Sequence, residues 1–238
     1  MRTTDQNPHQ AQVTPHTLEL EELQRQMAKR LSFPAVDPSS IRLVAGADTA
    51  YWKDGELEHG ACCVVVIDAS THEVVETASS HGLVTEEYMP GLLAFRELPL
   101  FLEAFSKLEC TPDVVVFDGN GYLHPRHMGI ASQASLEIGF PCFGVAKTFF
   151  DYGGEGFEMP EDRVGAFTDV VVAGEVCGRA LRTSRGVKPV FVSAGGLIDL
   201  DSATAITMGL LSSKGHVPIP TRLADIETKR LRKQLREG

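Results

Sequence analysis

The sequence contains no apolar run that approaches the roughly 20 residues needed to cross a bilayer. Its first 15 residues are polar, with no apolar stretch behind a basic start, and so do not resemble a secretory signal peptide. No CxxC pair is present, and the five cysteines, two of them adjacent at Cys62 and Cys63, favour free buried thiols over disulfides or a zinc site. These absences predict a cytoplasmic protein without a membrane segment.

Basic residues are also in short supply. Lys and Arg number 22 against 32 Asp and Glu, a net charge of −10, which by itself argues against nucleic acid as a partner because phosphate binding draws on cations. The basic residues are unevenly spread, however, and gather at 179–188 and again at Lys229, Arg230, Arg232, Lys233 and Arg236. A locally basic face on an acidic protein can still bind a phosphate backbone. The second cluster also fits the solvated face of an amphipathic helix, so composition leaves the partner open.

The length predicts a single domain over residues 16–238, preceded by a disordered tail at 1–15. The oligomeric state is left open, with a monomer favoured. Apolar spacing predicts an early helix at 16–31 and a helix from residue 92. Strands are predicted at 43–51, 61–67, 73–82, 113–118, 142–145, 169–173 and 189–192, and later helices at 127–138, 201–213 and 221–236. A three-strand meander followed by alternating strands and helices predicts an α/β fold with helices on both faces of a mixed sheet, the ribonuclease H-like layout.

Three acidic residues occupy unusual positions. Asp48 lies inside a predicted strand among apolar neighbours, where an unpaired charge costs several kcal/mol. Glu97 lies early in a helix that otherwise reads as core-facing, and Asp118 ends an apolar strand, where α/β sheets place ligand sites. Carboxylates that meet at a sheet edge without Cys or clustered His prefer hard cations such as Mg²⁺ or Mn²⁺. The alternative is that each acid is a helix cap, an ion pair or a solvated side chain, since spacing does not bring the three together.

The segment Asp-Gly-Asn-Gly-Tyr-Leu-His-Pro-Arg-His at 118–127 follows that strand. Gly119 and Gly121 permit a tight loop in which backbone approaches a ligand. His124 and Arg126 are then candidates to meet a phosphate or a metal-bound water, the alternative being a turn with a structural histidine. Lys147, after the next strand, is a candidate phosphate contact or a solvated lysine.

Five segments, in the same order along residues 40–225, resemble motifs of the endonuclease V family. The most specific is Tyr-Met-Pro-Gly-Leu-Leu-Ala-Phe-Arg-Glu. The segments are 88–97, the 118–126 loop, Gly-Val-Ala-Lys at 144–147, the strand carrying Asp48 and Tyr51, and Val-Lys-Pro-Val-Phe-Val-Ser at 187–193. One such motif is a weak signal, whereas five in register identify the family.

The resemblance implies a ribonuclease H-like fold and a Mg²⁺-dependent nuclease, with Mn²⁺ also supporting activity. It implies that Asp48, Glu97 and Asp118 are the carboxylates of the metal site, and that His124 and Lys147 lie near the scissile phosphate. Family members act on nucleic acid that contains inosine, the deaminated form of adenosine, and hydrolyse the second phosphodiester on its 3′ side.

The resemblance also implies how the altered base is reached. Tyr88, Met89 and Pro90, followed by Gly91, match a wedge that is inserted into the strand so that the base can enter a pocket. Unstacking a base costs a few kcal/mol, and aromatic and apolar wedge side chains replace the lost stacking. Gly119 and Gly121 suit a pocket in which backbone amides read the hypoxanthine edge.

One departure weakens the analogy. Where the family has Ser-x-Gly-His-Arg, this chain reads Ser193-Ala194-Gly195-Gly196-Leu197, and Gly196 can neither bind a metal nor transfer a proton. We therefore expect either an inosine-directed endonuclease with slowed cleavage, or a protein that binds inosine-containing strands and has lost cleavage. A broader RNA or flap nuclease is a third reading. The choice between DNA and RNA stays open.

Overall fold

The computed structural model describes residues 14–151, 156–212 and 215–237. The predicted tail at 1–15 lies outside these residues except for its last two. Thr14 caps the first helix through its side chain, and Pro15 is the first helical residue, so the helix begins one residue earlier than predicted. No helix among the described residues is long and apolar enough to cross a membrane.

The elements alternate much as the apolar spacing predicted. The helices are α1 (Pro15–Ala28), α2 (Leu93–Phe105), α3 (Ile130–Ile138), α4 (Leu200–Gly209) and α5 (Ile219–Glu237). The strands are β1 (Leu43–Asp54), β2 (Leu57–Asp68), β3 (Val74–Leu83), β4 (Val114–Phe117), β5 (Cys142–Ala146), β6 (Phe167–Val172), β7 (Glu175–Leu181) and β8 (Val190–Gly196).

All eight strands form one sheet in the order β3-β2-β1-β4-β5-β8-β7-β6. β1, β4 and β5 run parallel, whereas the remaining neighbours are antiparallel. One apolar core lies between the sheet and the pair α4 and α5, and a second lies between the sheet and the pair α2 and α3. The predicted mixed sheet with helices on both faces is confirmed.

β7 was not predicted. It pairs with β6 through a hairpin whose two turn residues, Ala173 and Gly174, both have positive φ angles of 51° and 82°. A tight hairpin with two positive φ angles suits the right-handed twist of paired strands. Alanine is uncommon at the first turn position, where Asn, Asp or Gly is typical, so the sequence did not indicate a hairpin here.

The lengths of β1 and β4 create the open edge on which the site is built. β4 ends at Phe117, which lies opposite Ala47, but β1 continues to Asp54 and is paired there only with β2. The edge of β1 beyond Ala47 therefore has no strand beside it on the β4 side. Asp48 and Asp118 are the next residues on the two strands, so the parallel register brings them next to each other.

Candidate active site

Asp48, Glu97 and Asp118 meet at this open edge. They line one cavity of about 40 Å³ whose apolar wall includes Phe101 and Ile130. Glu97 reaches it from the second turn of α2, which packs across β2 and β3. The three acidic residues that the sequence analysis singled out are thus brought together from three separate elements.

Burial and mutual repulsion disfavour the charged forms of two of these acids. Burial, assisted by the charges of Asp118 and Asp225, raises the pKa of Asp48 to about 6, against the hydrogen bond that Thr228 Oγ1 donates at 2.7 Å. Burial likewise raises the pKa of Glu97 to about 7, although Tyr51 donates a hydrogen bond to it at 3.0 Å. The cavity therefore holds concentrated negative potential that a bound cation would relieve.

Asp225 is a fourth acid at this site, and the sequence analysis missed it. It lies on α5, close enough to affect the pKa of both Asp48 and Lys147, and it pairs with Lys229 at 2.7 Å. In the sequence it is an ordinary acid in an amphipathic helix. Only the packing of α5 along β1, seen where Thr228 reaches Asp48, places it here.

Lys147 provides the positive charge beside the acids. It follows β5, the strand next to β4, and its ammonium contacts Asp118. Burial lowers the pKa of Lys147, but the hydrogen bond and charge of Asp118 outweigh this and leave it raised, so the side chain is cationic. Lys147 thus stands at the carboxylate edge, and its contact with a phosphate stays a prediction.

The donor set fits a hard divalent cation, since three carboxylates line the cavity and no imidazole does. The one thiol in the lining, Cys62, stays protonated because burial raises its pKa. Among the described residues, no group of three acidic, histidine or cysteine side chains lies close enough together, as the side chains stand, to hold a metal ion. Instead, Lys147, Tyr51 and Thr228 each engage one of the acids. A cation would therefore compete with Lys147 for Asp118, whereas the Tyr51 and Thr228 hydrogen bonds each occupy only one oxygen of Glu97 and Asp48.

The segment Tyr88–Gly91 forms a turn beside this site, between β3 and α2. Tyr88 is 65% exposed and lies at the outside of the turn. Three hydrogen bonds to the carbonyl of Gly91 fix the turn in place. They come from Gln24 at 3.1 Å, His124 at 3.0 Å and Arg126 at 2.8 Å. Gly91 has φ +81°, and a Cβ there would lie 2.7 Å from the Arg126 guanidinium, so glycine is required.

His124 and Arg126 do not face the carboxylates. His124 is only 6% exposed, its Nδ1 accepts from the backbone amides of Arg126 and Met128, and its Nε2 donates to Gly91. Burial lowers the pKa of His124 to about 3, so the ring is neutral and both nitrogens are engaged. Arg126 is committed to Gln24, Glu21 and Gly91. Both residues hold loops together, so a contact of either side chain with phosphate or metal-bound water, which stays a prediction, would require these hydrogen bonds to be given up.

A second cavity, of about 110 Å³, lies under the turn. Tyr88, Met89, Pro90 and Gly91 form one side of it. The opposite side comprises Asn120, His124, Met128, Gly129, Ile130 and Phe150. Its wall also contains an unsatisfied acceptor, because the buried Oδ1 of Asn120 has no hydrogen-bond partner among the described residues.

Gly119 and Gly121 do not line this cavity, contrary to expectation. A Cβ on Gly121 would lie 2.3 Å from the carbonyl oxygen of Ala194, and one on Gly119 would lie 2.9 Å from Ile130. Both glycines are needed because the loop packs closely on β8 and α3. Asn120, between them, is the loop residue whose side chain borders the cavity.

Gly196 lies at the other end of the sheet from the carboxylates. β8 is antiparallel to β5, so Gly196 pairs with Cys142 at the start of β5, whereas Lys147 follows its end. A Cβ on Gly196 would meet Ser135 of α3 and then Leu31. The expectation that a histidine here would serve the metal was therefore wrong, because the strand direction carries position 196 away from the site.

Comparisons with known proteins agree with this architecture. Residues 22–226 match the family model for endonuclease V. Endonuclease V of Bacillus subtilis (strain 168) is 53% identical over 199 residues, which cover 84% of each chain. A crystal structure of the Bacillus subtilis enzyme superposes with a TM-score of 0.89 at 46% identity, covering 100% of this chain and 99% of that one.

A more distant structure shares the fold. Endonuclease V of Ciona intestinalis, in complex with a 24mer DNA that contains an inosine followed by a ribo-adenosine, superposes with a TM-score of 0.82 at 24% identity. That match covers 93% of this chain and 100% of the other. The ribonuclease H-like fold is thus confirmed, and the chain belongs to the endonuclease V family of nucleases.

Proposed function

We propose that this protein is a divalent-cation-dependent endonuclease that recognises inosine in a nucleic acid strand and cuts the strand on its 3′ side. The observation that carries the proposal is the adjacency of the two cavities. Ile130 lines both, so a base held under the Tyr88 turn would have its backbone beside Asp48, Glu97 and Asp118. The inosine-containing DNA bound by the Ciona intestinalis relative supports the same substrate class.

Asp48, Glu97 and Asp118, together with Asp225, are the residues that would hold Mg²⁺ or Mn²⁺. Such an ion activates water and stabilises the charge that develops on a phosphodiester. Lys147 adds a fixed positive charge at the same edge, next to where the phosphate would lie. Glu97 is held by Tyr51 and Asp48 by Thr228, and these hydrogen bonds orient the two carboxylates before a cation or strand arrives.

Recognition rests on the exposed Tyr88 and on the cavity behind it. Tyr88 would take the place of the extruded base in the stack, which is worth about 1–3 kcal/mol per base. Most of the cavity wall is apolar, and Asn120 supplies the unsatisfied acceptor. An apolar pocket with one or two placed polar groups suits a flat heterocycle better than a charged ligand.

A cleavage assay tests the proposal. Two oligonucleotides that differ only in inosine or adenosine at one position are incubated with the protein in Mg²⁺, in Ca²⁺ and in a chelator. We expect cutting only of the inosine strand and only with Mg²⁺, and its loss in Asp118→Asn. Equal cutting of both strands would overturn inosine recognition, and cutting in the chelator would overturn the cation requirement.

The alternative of a strand-binding protein with lost cleavage rested on Gly196. The position of Gly196 at the far end of β8 removes that reason, because the acids and Lys147 are unaffected by it. Tight binding of the inosine strand in Ca²⁺, with no cutting in Mg²⁺ or Mn²⁺, would restore the alternative. Matched DNA and RNA strands in the same assay decide the preferred backbone.

A further inference from the structure

The basic residues near the C-terminus fall on one flank of α5. Asp225, Lys229, Arg232, Lys233 and Arg236 are spaced by three, four or one residues, which places them along one side of a helix. Asp225 lies three residues before Thr228 on α5, next to it on the helix surface, and Thr228 Oγ1 donates to Asp48 at 2.7 Å, so Asp225 lies beside the carboxylate cavity. The four cations after it therefore form a basic stripe that starts at the site and leads away from it.

The stripe is accessible and carries cations without strong partners. Lys233 and Arg236 are exposed, and the contact from Lys233 to Glu237 is long at 3.9 Å between exposed side chains. Arg232 and Arg236 form no ion pair with any described residue. From Lys229 to Arg236 the stripe is about 10 Å long at 1.5 Å per residue. Lys229 pairs with Asp225 at 2.7 Å, but the other three cations remain available, and on a protein of net charge −10 such a local concentration suits a polyanionic partner.

The hairpin of β1 and β2 continues the stripe. Trp52 lies on the same face of β1 as Asp48, since side chains alternate along a strand, and α5 packs on that face. Trp52 stacks on His59, its cross-strand neighbour, with ring centroids 5.3 Å apart. Arg232 reaches the carbonyl of Tyr51 at 3.4 Å, which joins the helix to the hairpin just before Trp52.

We infer that the basic stripe of α5, bordered by Trp52, binds the sugar-phosphate backbone of the nucleic acid on the 3′ side of the cut. This inference rests on the proposed function for its direction. The base cavity lies on the α2 and α3 side of the sheet, the carboxylates lie at the edge, and α5 lies on the opposite side. A strand with its inosine in the cavity and its 3′ phosphodiester at the carboxylates continues onto the stripe.

The test uses a double variant and a control on the same helix. Lys233→Gln with Arg236→Gln removes two stripe cations, neither of which contacts the carboxylates. Arg230→Gln removes one cation from the opposite flank, where Arg230 pairs with Glu227 at 2.7 Å. Binding of a labelled single strand is followed in Ca²⁺ by anisotropy at several salt concentrations, and thermal midpoints verify folding.

We expect the double variant to reduce affinity on the order of tenfold at 0.1 M salt and to flatten the logarithmic salt slope by about 1.4, or 0.7 per lost phosphate contact. Arg230→Gln should change neither. Removing the nucleotides 3′ of the cut from the strand should reduce wild-type affinity to that of the double variant and have little further effect on the variant. Removing the 5′ nucleotides should reduce the affinity of both proteins equally.

Trp52 gives a second readout because it is the only tryptophan in the chain. Its emission should change on binding a strand with a 3′ flank and stay constant with one that ends at the cut. An unchanged salt slope in the double variant, or equal sensitivity of both proteins to the 3′ flank, would overturn the inference. A failure of inosine recognition can be told apart from a failure of this inference. In that case the double variant would lose the same affinity for unmodified strands as for inosine strands.

Discussion

At the scale of single residues, the acids of the site are held together against their mutual repulsion. Asp48 is partly desolvated and close to Asp118 and Asp225, and its pKa is raised to about 6. Sites of this kind commonly reduce the stability of the protein that carries them.

Asp48→Asn should therefore separate activity from stability. The amide keeps the size of the side chain and can still accept the hydrogen bond from Thr228, but it removes one of the crowded charges. We expect cutting to fall by orders of magnitude, while the free energy of unfolding without metal rises by about 1 kcal/mol. Single-turnover assays and urea denaturation in a chelator measure the two effects. A variant that cuts normally would remove Asp48 from the active site.

Asn120 gives a prediction about specificity. Hypoxanthine carries a hydrogen on N1 where adenine carries a lone pair, so the buried Oδ1 of Asn120 can accept from the former and repels the latter. Asn120→Leu should reduce the preference for inosine over adenosine by roughly 5- to 100-fold, the range of about 1–3 kcal/mol for one base contact. Competition between the two strands measures this. A loss of affinity shared equally by both strands would instead indicate damage to the loop.

Asp48, Glu97, Asp118 and Lys147 could be found from the sequence, because each stands in a recognisable segment and the parallel register of β1 and β4 brings the segments together. Asp225 could not, because nothing local distinguishes it from other helical acids. His124 was assigned to catalysis and Arg126 to substrate binding because the chemistry of a side chain is visible in a sequence, whereas its commitment to a neighbouring loop is not.

At the scale of elements, His124 joins the loop at 118–127 (the pocket loop) to the Tyr88–Gly91 turn (the wedge) through a hydrogen bond to Gly91. The ring is neutral when it makes this contact. Its folded pKa of about 3 lies below the ordinary value of 6.5, so the folded state disfavours the protonated ring. The stability that the neutral ring contributes is complete above pH 6.5 and is lost as pH falls toward 3.

We therefore expect His124 to lower the free energy of unfolding as pH falls across that interval, against Asp48 and Glu97, whose raised pKa values make their protonation stabilising over the same range. In His124→Gln the amide can retain the hydrogen bond to Gly91 without titrating, so between pH 6.5 and 4 this variant should gain stability relative to the wild type. Denaturation at a series of pH values tests this, and parallel curves for the two proteins would contradict it.

Strand and helix identities followed from apolar periodicity, but their ends and one strand did not. β1 and β2 extend beyond the predicted ranges because their hairpin is paired along its whole length, including polar residues that carry no periodic signal. β7 was missed because its sequence, Glu-Val-Cys-Gly-Arg-Ala-Leu, is held in the sheet by β6 and β8 and has little strand preference of its own.

At the scale of the whole molecule, the carboxylates and Lys147 lie at one end of the central strands, and the opposite end has only packing contacts around Gly196. Gly196 and the carboxylates are at opposite ends, a relation that requires the direction of β8 and so could not be read from the motif alone. Gly196→His should therefore not accelerate cutting. It should lower the free energy of unfolding by about 1–3 kcal/mol, because even a Cβ would lie 2.7 Å from Ser135 Oγ.

Gly196→Ala is the matched control and should show the smaller part of this loss. Single-turnover rates in Mg²⁺ and Mn²⁺, together with denaturation curves, compare the three proteins. Faster cutting by the histidine variant would mean that the C-terminal end of β8 communicates with the metal site after all.

The carbonyl of Gly91 joins three parts of the chain that are far apart in sequence: α1 through Gln24, the pocket loop through His124 and Arg126, and the wedge itself. The wedge consequently cannot swing as an independent flap. Its ordering entropy is lost during folding and not when a strand arrives, so in the proposed function more of the stacking energy of Tyr88 would remain for extruding the base. If the contact of α1 with Gly91 were lost, the turn would have to be ordered when the strand binds, and binding would be weaker by that entropic cost. A helix distant from the acids would thus influence the fraction of encounters with a strand that lead to a bound complex.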